Sequence, residues 1–232
     1  MFLSRLILNP GSREARQDIS DAGQLHKTIS HAFPELPPNS KFFNHYGILY
    51  RVDINQKTGV PTVLVQSNTK PDWQYLMEND DYLLSPPECK SVADQYASLH
   101  EGQMLAFRLR ANVTKKIDTK TGPDGKRRHG RRIPLRTSEE QIKWLARKGK
   151  EGGFEILEVS THKDVSDIRI MPERDIEFEK KNKTKEHKVT YGSVLFEGRL
   201  KIINSESFRQ TLVNGMGSAK SFGFGLLSIA PA

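Results

Sequence analysis

At 232 residues and 26.4 kDa the chain fits one large domain or two small ones, since soluble domains usually run to roughly 100–150 residues. Hydrophobic residues make up 36% beside 17 glycines, which excludes a disordered protein, and the single cysteine, Cys89, excludes an internal disulfide and a Cys-based zinc cluster. The net charge is +8, and the segment Lys115 to Arg136 alone holds nine Lys/Arg against two Asp, so the excess is a local polyanion-binding element with nucleic acid as the leading partner.

In chain order, the apolar run Phe2 to Asn9, ended by Pro10-Gly11, predicts a buried first strand. Arg5 breaks it, and no apolar stretch approaches the ~20 residues of a membrane helix, so a soluble, cytoplasmic protein is expected. Ser12 caps a turn carrying Arg13 and Arg16, and Asp21 caps a helix from Ala22 to Phe33. Two β-rich runs, Gly47 to Ile54 and Val60 to Ser67, flank a hairpin-like connection. A short helix follows from Trp73 to Met77, and Tyr82-Leu83-Leu84 with the residues after Pro87 supplies a fourth strand. A linker is placed near residues 92–102, between domains 1–95 and 101–232.

The same order then repeats. Gln103 to Val113 reads as a strand, followed by the basic segment 115–136 with a turn signal at Gly122-Pro123-Asp124-Gly125. Ser138 caps a helix to Lys150, Phe154 to Val159 forms a strand, and a long charged loop runs to about Lys188. Val189 to Ile203 is a longer strand, Ser205 caps a helix through Val213, and Phe222 to Ile229 closes the chain as a strand. Two β-α-β-β-α-β series in tandem predict an α+β fold of two ferredoxin-like domains, with a basic arm in the second. No sequence repeat accompanies the repeated order.

The most distinctive motif is Gly215-Met216-Gly217-Ser218-Ala219-Lys220-Ser221-Phe222-Gly223-Phe224-Gly225. Gly215, Gly217, Gly223 and Gly225 let backbone N–H groups approach an anion, and Lys220 adds charge, whereas a helix C-cap and a kinked strand account for only one or two of them. It is neither a Walker loop nor a dinucleotide fingerprint. In the basic segment, Lys115, Lys116, Lys126, Arg127, Arg128, Arg131 and Arg132 are candidate contacts to an RNA backbone. Around Lys180 to Lys188, where Glu177, Glu179 and Glu186 dilute the charge, a solvated loop is expected. Arg13 and Arg16 share a helical face, with structural pairing and phosphate contact equally open. Leu25, Ile29, Ala32 and Phe33 form an apolar helix stripe, with His26 at its edge and His31 about 140° round from it. By itself His26 reads as a boundary histidine that packs.

The Gly-hydrophobic-Gly block behind two ferredoxin-like units resembles the repeat-associated RNA-binding superfamily of CRISPR systems. Phe2 to Pro10, Arg13, Arg16, Leu25-His26-Lys27-Thr28, Phe107 to Asn112 and Gly130 to Leu135 resemble the CasE family specifically, over nearly the whole chain and in the family's order. The resemblance implies a metal-independent endoribonuclease of the Cascade complex. Such an enzyme needs no cofactor, cuts at the 3′ base of the CRISPR repeat hairpin and stays bound to the mature guide RNA and the other Cascade subunits. It also implies a catalytic His26, and a tyrosine three residues earlier where this chain has Gly23. Either another group takes that role or His26 works with cationic help, from Lys220 or an arginine of the basic segment. Two rivals are a non-catalytic RNA-binding Cascade subunit and a metal-dependent nuclease.

Overall fold

The computed structural model describes residues 1–37, 42–79, 81–117, 131–159, 161, 165–182 and 185–232. The elements of the first half are β1 (Phe2–Ile7), α1 (Arg13–Ser20), α2 (Ala22–Ser30), α3 (Phe42–His45), β2 (Leu49–Ile54), β3 (Pro61–Ser67), α4 (Gln74–Met77), β4 (Glu88–Ser91) and α5 (Ala93–Ala97). The second half holds β5 (Met104–Ala111), β6 (Thr114–Ile117), β7 (Arg131–Pro134), α6 (Ser138–Glu151), β8 (Phe154–Ile156), β9 (Ile168–Pro172), β10 (Ile176–Asn182), β11 (Lys185–Tyr191), β12 (Val194–Ile202), α7 (Ser205–Asn214) and β13 (Leu227–Pro231). A 3-10 turn, Lys220–Phe222, lies between the last two.

The fold is mixed α/β with antiparallel sheets. The first sheet runs β2-β3-β1-β4; the second runs β13-β5-β12-β8, with β9 also paired to β12. Alternation is clearest in the second sheet. In β5, Leu105, Phe107, Leu109 and Ala111 point into the core while Arg108 faces out, a period of two that leaves one face for packing. Each sheet has its own apolar core. The first joins Leu6, Leu25, Ile29, Tyr50, Val63 and Trp73; the second joins Phe107, Trp144, Leu145, Phe196, Phe208 and Leu227.

Several local expectations are corrected. Helix α2 ends at Ser30, not Phe33, because the peptides after it close into tight turns, with Ala32 N donating to Ile29 O and Phe33 N to Ser30 O. The cap of α6 is Thr137, in a reciprocal capping box with Glu140, not Ser138. Likewise α7 is capped by Asn204, whose side chain accepts from Ser207 N, not by Ser205. The stretch 92–102 contains α5, whose Tyr96 donates to Gln66 Oε1. The strand expected from Phe154 to Val159 stops at Ile156. The charged loop up to Lys188 contains β9, β10 and β11, and the strand expected from Val189 is interrupted after Tyr191. Phe222 to Leu226 is not strand: Phe222 ends the 3-10 turn, and the last strand starts at Leu227.

Polar contacts lock the two sheets together. Arg51 of β2 is 2% exposed; its Nε donates to Asp53 and its Nη1 to Arg108 O and Ser228 Oγ. Arg110 of β5 is bidentate on Glu173 and donates to Val52 O, and Gln66 Nε2 donates to Leu212 O. Forked guanidinium contacts of this kind fix orientation as well as distance. They hold α2 of the first half against the turn that follows α7 in the second.

Candidate active site

His26 sits on α2 one residue past buried Leu25, half-buried at the edge of the apolar stripe. Its ring is stacked on Phe43 of α3 with centroids 3.9 Å apart and planes 8° from parallel, and Phe222 lies 6.3 Å away. Nδ1 is 2.9 Å from the carbonyl oxygen of Ser221. A carbonyl only accepts, so Nδ1 carries the hydrogen, and in the neutral ring Nε2 keeps its lone pair. Burial lowers the imidazole pKa from 6.5, and the bond to Ser221 pulls the other way without cancelling it. The neutral, proton-accepting form is therefore favoured near neutrality.

That yields an expected result: in a 15N NMR titration of the free protein, His26 should titrate below 6.5. Protonation then becomes appreciable only as the pH falls under that value, and a midpoint above 6.5 would contradict the burial assigned here.

His31 lies away from this site, exposed and edge-on to Tyr75 at 6.0 Å. Gly23 is in the first turn of α2, its N–H donating to the capping Asp21 Oδ1.

The glycine segment has a different local logic from the one expected. All four glycines have positive φ, between 69° and 87°, and Gly215 caps the end of α7. Gly225 shows why no side chain fits: a Cβ there would lie 2.6 Å from Met216 O. The amides of Gly215 and Gly225 are spent inside the fold, donating to Thr211 O and Arg110 O, so neither N–H is offered to an anion. Lys220 Nζ donates to Asn214 O, and burial, then the charge of Lys148, lowers its pKa.

Beside this segment opens a cleft of about 750 Å³. Lys115, Lys116 and Arg132 line it from the β6–β7 hairpin, Lys143, Arg147 and Lys148 from α6, and Lys220 with Gly215 and Gly217 from the glycine segment; Glu140 is its only acidic lining residue among those described. The structure thus brings Lys115, Lys116, Arg132, Gly215, Gly217 and Lys220 to one surface. Gly223 instead packs on the Tyr50 ring. Arg16 donates to Pro10 O and Gly11 O, the structural option for that residue, while Arg13 is exposed on the same helix. Arg131 is the first residue of β7; Lys126, Arg127 and Arg128, with the turn signal at 122–125, lie outside the described residues.

The basic face of α6 is not among the expected sites, although Lys143 and Arg147 are spaced i,i+4 and Lys148 adjoins them. These three pair with Glu139 and Glu151 along their own helix, and exposed pairs of this kind give way readily to a phosphate. Consecutive residues then connect cleft and imidazole: Lys220 lines the cleft, and Ser221 holds His26.

A family model described as CRISPR associated protein matches residues 1–231. Over 233 residues covering 100% of both chains, the sequence is 34% identical to the CRISPR-associated endoribonuclease Cse3 of Thermus thermophilus. It is 32% identical, with the same coverage, to the CRISPR system Cascade subunit CasE of Escherichia coli strain K12. The structure is similar to that of Thermus thermophilus Cse3 bound to an RNA representing a pre-cleavage complex, with TM-score 0.74 at 34% identity over 99% of this chain and 98% of the other. With a match along its whole length, the chain belongs to the CasE family of CRISPR-associated proteins.

Proposed function

We propose that the protein is an endoribonuclease that binds the CRISPR repeat hairpin and cuts precursor RNA at the 3′ base of the stem. It then stays on the mature guide RNA as a Cascade subunit in the cytoplasm. The similarity to Cse3 and CasE supports the class of activity, and the observation that carries the mechanism is the junction at residues 220 and 221 between cationic cleft and imidazole. The cleft takes the phosphates of the hairpin, and Nε2 of His26 takes the proton of a 2′-hydroxyl at the cut site. The O2′–P bond forms as the P–O5′ bond breaks, leaving a 2′,3′-cyclic phosphate and a 5′-oxygen that takes a proton from solvent. Lys220 supplies positive charge near the phosphorane-like transition state. The step needs no metal, because the RNA carries its own nucleophile.

The architecture supports a matching division into two ferredoxin-like domains, residues 1–95 and 101–232. Strand orders β2-β3-β1-β4 and β13-β5-β12-β8 place the first strand of each unit in the middle, beside its last.

The cleft is tested by Lys116→Ala, Arg132→Ala and Lys148→Ala together. Binding of the repeat hairpin should weaken, and the log–log salt slope should flatten by up to roughly 0.7–0.9 per lost phosphate contact. An unchanged slope would return these residues to an ordinary solvated surface.

A further inference from the structure

We propose that Tyr50 is a positioning residue for the reaction: its hydroxyl holds the Ser221 carbonyl where that oxygen fixes the Nδ1–H tautomer of His26. The inference rests on the reading of His26 as the base. Tyr50 Oη lies 3.2 Å from Ser221 O, the same oxygen that accepts from His26 Nδ1 at 2.9 Å, so both lone pairs of one carbonyl are used.

That carbonyl sits in the 3-10 turn Lys220–Phe222, bounded by left-handed Ala219 and Gly223, with φ of 63° and 83°. Its register on α2 is therefore set by side-chain anchors rather than by a strand ladder. Tyr50 is rigid enough to be one. It is 1% exposed on β2, its ring lies edge-on to Phe43 at 6.2 Å, and a Cβ on Gly223 would come within 3.1 Å of Tyr50 Cε2. Phe43 in turn stacks on His26, so ring and carbonyl are both referred to the same buried tyrosine.

Tyr50 does not itself replace the tyrosine missing at position 23. Its hydroxyl is enclosed, directed at Ser221 O and, at 3.5 Å, Ala22 O, and burial drives its pKa upward. It acts through His26. An unrestrained imidazole can place its hydrogen on Nε2, which would block the lone pair that accepts the 2′-hydroxyl proton; holding the Ser221 acceptor opposite Nδ1 removes that state.

The test uses the full-length chain and Tyr50→Phe, which keeps the ring and removes one oxygen. The 15N shifts of neutral His26 in the free protein should show Nδ1 protonated in the wild type and an appreciable Nε2–H population in the variant. Single-turnover cleavage of a repeat hairpin at saturating protein should fall roughly tenfold, about 1.4 kcal/mol of barrier, with the hairpin Kd within about threefold. A wild type already in the Nε2–H form would overturn the proposal without any variant, as would Tyr50→Phe with an unchanged tautomer, whatever its rate or melting temperature. His26→Ala separates the two readings: if that variant still cuts, the base assignment fails, while the 15N shifts still decide whether Tyr50 sets the ring's state.

Discussion

His26→Ala is expected to lower the rate of repeat cleavage by roughly a hundredfold or more while leaving hairpin affinity within a fewfold of wild type. The separation follows from where the ring sits. Phe43 covers one face and Nδ1 is committed to Ser221, so Nε2 is the ring nitrogen left for the RNA. The charges proposed to attract phosphate are elsewhere, on β6, β7, α6 and Lys220. Removing the imidazole therefore takes away a proton acceptor and almost none of the electrostatic attraction. Its neutral state at neutral pH means that no cation is lost either. Rate and affinity should be measured on the same hairpin, by single-turnover cleavage and by equilibrium binding to an uncleavable analogue. Equal losses in both would mean that His26 docks the RNA rather than reacting with it.

The apolar run of β1, the alternation of β5 and the apolar stripe of α2 are legible because each is a local pattern set by burial. They were enough to place His26 at a core edge, where the structure has it. The caps were less legible. Thr137 and Ser138 are both good capping residues, each with a partner three residues on, Glu140 or Gln141. Tertiary packing decides between them: Gln141 is buried with its Nε2 donating to Leu135 O, whereas Glu140 stays at the surface and its Oε2 accepts from Thr137 N to close the box.

The glycine segment is conspicuous by its composition, but the amides of Gly215 and Gly225 serve the fold rather than an anion. Spacing alone does not distinguish a backbone opened to an anion from one crowded by its own neighbours, and Gly225 is of the second kind. The contact that organises the imidazole was beyond any sequence pattern. It is made by a backbone carbonyl 195 residues away, brought there by Arg51, Arg110 and Gln66 across the sheets. A main-chain acceptor leaves no residue-type signature. The charged stretch read as loop failed for a related reason: a two-stranded ribbon such as β10–β11 is held by its own ladder, and its sequence need not alternate as a core strand does.

A repeat RNA with a single 2′-deoxy sugar immediately upstream of the scissile phosphate is expected to bind normally and to resist cutting. The substitution removes one oxygen, and with it the only nucleophile in the proposed step. The A-form stem, the phosphates and the base edges all persist, so the cationic cleft has nothing to lose. A nuclease that activates water on a metal ion has no use for that hydroxyl. It would keep cutting the deoxy repeat and would stop in EDTA. The two mechanisms thus give opposite results in the same pair of reactions. Cleavage of the ribo repeat that persists in EDTA, beside an intact deoxy repeat, fits a base at His26 acting on the RNA's own hydroxyl. Efficient cleavage of the deoxy repeat would remove that mechanism together with the role given to Nε2, and would leave the bond to Ser221 as a feature of packing alone.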